Sequence, residues 1–267
     1  MIQSVDRAVR ILTALQGARR MGLGELAAQL ELAPSTVHGI VRTLLAHGMI
    51  AQERDSGRYR LGPATQRLGN VYLDTLELRA RALPWAEDLA RRTGMAVRTA
   101  VLLAGPDSGD VVVVAHEPRP DGSRQMTEVG IVIPAHASAL GKVLLAYNDT
   151  ANAGPADPVD TGELRSMTGE TIIDPARLRI ELAGVLRSGI ATEAEEAVLG
   201  ECGAAAPIGD HGGAVVGAIG LVVAQAQWPL DPAAYDALRD AARGISRELG
   251  APSWPPAVTA RRPAASA

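Results

Sequence analysis

Two sets of residues in this 267-residue chain combine types and spacings that could do chemistry. The first lies just after Pro34. Val37, Ile40, Val41, Leu44 and Leu45 recur at i, i+3, i+4, i+7 and i+8, the stripe of a helix with one buried side. Ser35, Thr36, His38, Gly39, Arg42 and Thr43 then fall on its other face. Short hydroxyls, an imidazole and a guanidinium on an exposed helix suit base edges and phosphates, and a helix fits the major groove of B-DNA. The second set brackets the turn Asp55-Ser56-Gly57, where Arg54, Arg58 and Arg60 could lie against a nucleic-acid backbone or minor groove.

Patterns for catalysis or metal binding do not emerge. The string nearest to a nucleophile elbow, Gly105-Pro106-Asp107-Ser108-Gly109, has the wrong spacing, and Ser138 and Lys142 are four apart rather than three. No Gly-x-Gly-x-x-Gly follows a strand, and no phosphate-binding loop of the Walker type is present. His38, His47, His116, His136 and His211 are dispersed, and Cys202 with His211 supplies too few ligands for zinc. Glu195–Glu196 reads as a helix start or solvated surface, and Cys202 as a small buried side chain. The expectation is a non-enzyme with no catalytic residue, metal or cofactor.

The elements that must carry the first set follow from periodicity and punctuation. A helix is predicted from Ser4, its N-cap, to about Gln16, stopped by Gly17. A short one follows near Gly24–Leu30, then the ELAP turn, then the amphipathic helix with Pro34 in its first turn. Two short strands flank the Asp55-Ser56-Gly57 turn. That order spells a helix-turn-helix with a wing over residues 1–62. This head carries eight arginines and five acids, +3, against −7 for the remainder. The balance suits a nucleic-acid-binding head on an acidic body. Residues 63–82 read as one helix, with Leu68, Val71, Tyr72, Thr75, Leu78 and Ala82 on a stripe. That stripe serves either dimer contacts or packing on the chain's own body.

From Pro84 the pattern changes. It predicts a helix over Trp85–Arg92 and strands at Val97–Ala104, Val111–His116 and Met126–Ile133. A helix over His136–Tyr147, a polar insert over 149–171 and a helix from Asp174-Pro175 to about Ser188 follow. Strands Gly203–Ile208 and Val215–Ala224 precede a last helix from Pro232 to about Leu249. The Pro/Ala-rich residues 251–267 read as a flexible tail. Strands flanked by helices give an α+β body over 83–250. Small-residue stretches at 134–141 and 203–207 suit an anion or polyol, and equally ordinary helix-on-sheet packing. With 47% hydrophobic residues the chain can bury a core. No apolar run approaches the ~20 residues of a membrane helix, no export signal is evident and there is a single cysteine. A cytoplasmic protein without membrane contact is expected.

Strings along almost the whole chain resemble the IclR family of bacterial transcriptional regulators. They are SVDRAVRILTAL, APSTVHGIVRTLLAHGMI, GRYRLG, PAHASALGKVLLA, TIIDP, SGIATEAEEAVLGE and AAAPIGD. The resemblance implies a winged helix-turn-helix, a linker helix used in dimerisation and a GAF-like effector domain. It further implies a homodimer or homotetramer on double-stranded operator DNA, responsive to a small metabolite. GRYRLG, YLDTLELRARAL, RPDGSRQMTEVG and HGIVRTL look like the glycerol-operon regulator branch. In that branch most members have Arg where this chain has Gly39. Carried over by position, the effector pocket falls near Met126, Ala139, Leu140, Glu193, Gly203 and Gly220. Acid-binding relatives have Asp, Cys and Ser where this chain has Glu193, Gly203 and Gly220, with Cys202 turned aside. Fewer polar anchors and more volume argue against a small keto acid such as glyoxylate and permit glycerol, glycerol 3-phosphate or something larger. The alternatives are a constitutive oligomeric repressor, or a regulator of aromatic or organic-acid catabolism.

Overall fold

The computed structural model describes residues 2–103, 109–123, 126–149 and 164–256. The chain divides into two compact units, Met1–Thr75 and Leu76–Ala267.

In the first unit, α1 (Gln3–Ala18), α2 (Leu23–Leu30) and α3 (Pro34–Ala46) are followed by the hairpin β1 (Ile50–Gln52) and β2 (Tyr59–Leu61). Ile11, Leu15, Leu26, Leu30, Val37, Val41, Leu44 and Ile50 make its core. These are the inward residues of three amphipathic helices, so burial of one stripe each determines how they pack. Ser4 is not the N-cap: the cap is Ile2, two residues earlier, in extended conformation. Gly17 does not stop α1, which runs on to Ala18 before Arg19 takes a positive φ of 63°. The hairpin pairs Ile50 with Leu61, Ala51 with Arg60 and Gln52 with Tyr59. An isolated bridge, Met21 to Tyr59, ties it to the α1–α2 connection.

The predicted single helix over 63–82 is two helices. α4 (Pro63–Thr75) belongs to the first unit, and α5 (Glu77–Thr93) opens the second. Leu76 between them is extended, with φ −84° and ψ 96°. The apolar residues on the two sides serve different surfaces: Leu68, Val71 and Tyr72 are exposed, whereas Leu78 and Ala82 are buried. Nor does Pro84 start a new helix. It sits inside α5, and the stripe Leu78, Ala82, Ala86, Leu89 and Ala90 continues past it into the core. A mid-helix proline costs roughly 3 kcal/mol, which burial of that continuous stripe offsets.

The second unit is built on a fully antiparallel six-stranded sheet of order β5-β4-β3-β8-β7-β6. Its strands are β3 (Ala96–Leu102), β4 (Asp110–Glu117), β5 (Val132–Pro134), β6 (Ala191–Ala194), β7 (Glu201–Gly209) and β8 (Val215–Ala224). One face packs Val97, Cys202, Ala204, Ala206, Ile219 and Leu221 with α5 and α8 (Pro232–Glu248). The other packs Ala100, Ala191, Ala205 and Ala218 with α6 (Ala139–Asp149) and α7 (Pro175–Ser188). A helix over His136–Tyr147 is instead a 3-10 turn, Ala135–Ala137, followed by α6. The predicted strand Met126–Ile133 shrinks to Val132–Pro134, the only part that meets β4 in register. Strand β6 was not anticipated, because ATEA has no apolar run.

Ala251–Pro256 does not behave as a flexible tail. Trp254 Nε1 donates to Pro207 O at 2.9 Å, and Arg243 lies over the Trp254 ring at 5.4 Å. Residues 257–267, 150–163 of the polar insert, and 105–108 of the Gly105–Gly109 string lie outside the described residues.

Candidate functional site

In the first unit, helix α3 is amphipathic as predicted. Val37, Val41 and Leu44 are buried, while Ser35, His38, Gly39, Arg42 and Thr43 are exposed and Thr36 half-buried. Thr43 Oγ1 donates to Gly39 O at 3.2 Å. No ion pair holds Arg42 among the described residues. A Cβ added to Gly39 would meet nothing within 4 Å, so packing within the chain does not demand a glycine there.

The wing carries its arginines differently. Arg54 and Arg60 are exposed. Arg58 braces the hairpin instead: its Nη2 donates to Glu25 Oε1 at 2.7 Å and its Nη1 to Arg20 O at 3.3 Å. Glu25 in turn accepts from Gly22 N at 2.7 Å at the start of α2. The pair is about half exposed and contributes little to stability.

In the second unit the carried-over residues lie on the α6 face of the sheet. Strand register sets Arg98 opposite Gly220, Gly220 opposite Ala205, and Glu193 opposite Gly203, so these side chains share one face. Ala139, Leu140, Glu193, Gly203 and Gly220 are all buried. The expected extra volume at the two glycines is not open. A Cβ on Gly220 would come within 3.2 Å of Leu140 Cδ2, and one on Gly203 within 3.5 Å of Glu193 Oε1. Backbone is closer still, Ala204 O at 2.8 Å and Leu221 O at 2.9 Å, so neither glycine opens on free space. Cys202 points to the opposite face, among the α5 and α8 contacts, as the alternation of β7 requires.

An open cavity of about 260 Å³ lies further along the same face, lined by Arg98, Arg119, Met126, Glu128, Glu201 and Val222 among others. Of the six carried-over positions, Met126 lines it, at 61% exposure. Sequence reasoning missed the polar groups here. Arg98 Nε donates to Glu128 Oε2, and its two Nη atoms reach the Glu201 carboxylate at 3.2 Å. His116 Nδ1 accepts from the Glu128 backbone N–H at 3.3 Å. Its Nε2 lies 3.6 Å from Glu128 Oε2, without a hydrogen-bond partner among the described residues. Burial lowers the His116 pKa, favouring the neutral ring. Burial works against charge on Glu128, but Arg98 outweighs it and holds that carboxyl below its ordinary value. A lone arginine inside the apolar string AVRTAVLL was the available signal.

A second buried group sits where α6 meets β6. Lys142 Nζ donates to Glu196 Oε1 at 2.6 Å and to Thr192 O at 3.2 Å. Glu196 is therefore neither a helix start nor solvated surface. It is 7% exposed, and Thr168 and Thr171 bind its backbone carbonyl. Burial pushes the Glu196 carboxyl upward. Glu193 accepts from Glu196 N at 3.2 Å, yet burial raises its pKa to about 7. No cluster of metal-ligating residues occurs among the described residues.

Two family signatures match this architecture. “IclR helix-turn-helix domain” covers residues 4–54, and “Bacterial transcriptional regulator IclR C-terminal” covers residues 70–247. The chain belongs to the IclR family of bacterial transcriptional regulators. As an IclR-type regulator it binds DNA through the helix-turn-helix of the first unit. It is similar to the “Glycerol operon regulatory protein” of Streptomyces coelicolor, 42% identical over 94% of this chain and 97% of that one. The protein of the same name from Streptomyces griseus is 41% identical over the same shares. Among solved structures it resembles an IclR homologue from Microbacterium hydrocarbonoxydans complexed with 4-hydroxybenzoate. That match has 26% identity and a TM-score of 0.74, and covers 92% of this chain and 98% of that one. Among the described residues no helix is long and apolar enough to cross a membrane.

Proposed function

We propose that this regulator is ligand-responsive, acts from the cytoplasm on operator DNA as a homodimer or homotetramer, and controls glycerol or related carbon metabolism. The observation that carries the reading is the exposed polar face of α3. Ser35, Thr36, His38, Gly39, Arg42 and Thr43 would enter the major groove, with Arg60 on the flanking backbone; Arg58 would join it there only by leaving Glu25, its partner in the hairpin. A two-fold operator calls for two heads. Exposed apolar residues at the cap of α1 (Ile2), on α1 (Val5, Val9) and on α4 (Leu68, Val71, Tyr72) are suited to the contact between copies.

The effector would bind on the α6 face of the sheet, near Met126, Ala139, Leu140, Glu193, Gly203 and Gly220. Glycerol or glycerol 3-phosphate is the reading that the names of the two Streptomyces relatives support. An aromatic acid is the second reading, because the Microbacterium homologue was solved with 4-hydroxybenzoate. Either ligand acts only if it binds the DNA-competent and incompetent arrangements unequally.

The test is a fluorescence-anisotropy titration of the full chain on the DNA upstream of its own gene, across salt, with each compound added in turn. The reading expects salt-dependent binding that glycerol or glycerol 3-phosphate shifts. A shift by 4-hydroxybenzoate alone would move the assignment to aromatic catabolism. Binding indifferent to all three, with no metabolite raising the melting temperature, would favour a constitutive repressor.

A further inference from the structure

Arg98 and His116 present two donors to one point, and a carboxylate of the chain itself occupies it. Arg98 Nε donates to Glu128 Oε2, and the same oxygen lies 3.6 Å from His116 Nε2. Because His116 Nδ1 accepts the Glu128 amide, a neutral ring carries its proton on Nε2, aimed at that oxygen. The His116 side chain is 3% exposed and the Arg98 side chain 12%; Arg98 and Glu128 line the cavity, and His116 stands beside Arg98 on the neighbouring strand. Among the described residues Nε2 finds no partner within hydrogen-bond distance. A buried donor left short of an acceptor is a cost that a better-placed anion would remove.

The occupant is less firmly placed than the seat. Arg98 stands on β3 in the middle of the sheet and His116 on β4 beside it. Glu128 lies on the stretch ahead of β5, and its side chain is 24% exposed at the cavity. Met126, on the same stretch, lines that cavity. Glu201 holds the opposite side of the Arg98 guanidinium from β7.

We propose that Arg98 and His116 form an anion seat, that the Glu128 carboxylate fills it as a built-in competitor, and that a small ligand bearing a carboxylate or phosphate displaces Glu128. The inference rests on the reading that the second unit binds an effector, and it specifies that ligand's charged group. Exchange is one anionic group for another, a carboxylate bringing one negative charge and a phosphate up to two, so the buried arginine stays neutralised throughout and Glu201 keeps its place. A neutral polyol cannot make this exchange, because its hydroxyls bring no charge to replace the departing carboxylate. Displacing Glu128 removes the side-chain tie between Arg98 and the stretch that carries Met126, while Gly130 and Ile131 stay bonded to Val113 of β4. Ligand entry thereby loosens the residues ahead of Gly130.

The experiment is calorimetric titration of the full chain and of Glu128→Gln with sn-glycerol 3-phosphate, inorganic phosphate, 4-hydroxybenzoate and glycerol. Hydrogen exchange of residues 118–131 is followed in parallel. Glu128→Gln keeps size and one acceptor oxygen but removes the competing charge. It should bind at least one anionic probe about tenfold more tightly than the parent chain, with glycerol unchanged. Without ligand it should already exchange faster over 118–131. Arg98→Gln, or Arg98→Lys where the first does not fold, should lose the anion in either background. Equal anion affinity in the parent and Glu128→Gln, or anion affinity that survives loss of Arg98, would overturn the seat. If glycerol alone binds, equally in every variant, the seat fails while the effector reading stands. If no compound binds any variant and exchange over 118–131 is unaltered, both fail.

Discussion

Along α3, His38, Arg42 and Thr43 stand exposed, and no ion pair holds Arg42 among the described residues. In the second unit, Lys142, Glu193 and Glu196 are at most 7% exposed and bound to one another or to nearby backbone. The first arrangement leaves polar capacity for an outside partner, and its loss should cost binding rather than folding. The second spends polar groups on each other inside the core, and its loss should cost folding first. On the proposed function, the difference separates a surface that would read DNA from a scaffold that would respond to a ligand.

The sharpest break of this contrast is Lys142→Met. It leaves Glu196 charged and buried without its cation, and should destabilise the second unit by about 3–5 kcal/mol in urea unfolding. The double variant Lys142→Met, Glu196→Leu should recover most of that loss. A single variant as stable as the parent would mean the pair is not buried as described.

Next in size is Glu193. Its folded pKa of about 7 exceeds the ordinary 4.5, so the fold binds a proton more readily than the unfolded chain does. The relative stabilisation is complete below about pH 4.5 and lost as pH rises through about 7. Glu193→Gln should therefore gain up to about 3 kcal/mol over the parent above pH 7 and little at pH 4.5. A pH-independent difference in chemical denaturation would contradict the burial of this carboxyl.

Smaller effects belong to the head. Arg42→Ala should weaken operator binding by ~1–3 kcal/mol if it contacts a base, with the melting temperature unchanged. If it contacts only phosphate, the loss should be uniform across sequences, with a reduced salt slope. Gly39→Ala should stabilise α3 by ~1 kcal/mol or less, because the added methyl meets open space. Should it also weaken operator binding, the glycine serves close approach to DNA.

The same contrast explains what could be read from the residues alone. The head is a set of local signals: an amphipathic stripe over 34–46, a proline in the first turn and a turn triplet between short strands. Each lies within a dozen residues, so periodicity resolves it. The polar groups of the body come from positions 98, 116, 128 and 201, and only strand order brings them together. Glu196 misled for the same reason: EE followed by AV looks solvated until Lys142 arrives from another element. The break at Leu76 escaped because one continuous stripe of apolar residues served two different surfaces. Substitution of glycine for larger residues suggested open room, but neighbouring backbone, with Leu140 and Glu193 behind it, occupies that space.

The central claim is that the exposed face of α3 lies in the major groove. Site-specific disulfide trapping tests it most directly, since Cys202 is fully buried and leaves the surface free of competing thiols. Cysteine placed at His38 or Arg42 should cross-link to operator DNA carrying a thiol tethered to a base in the major groove, while cysteine at Glu87 on α5 should not. Cross-linking no stronger at 38 and 42 than at 87, on DNA the protein demonstrably binds, would contradict it.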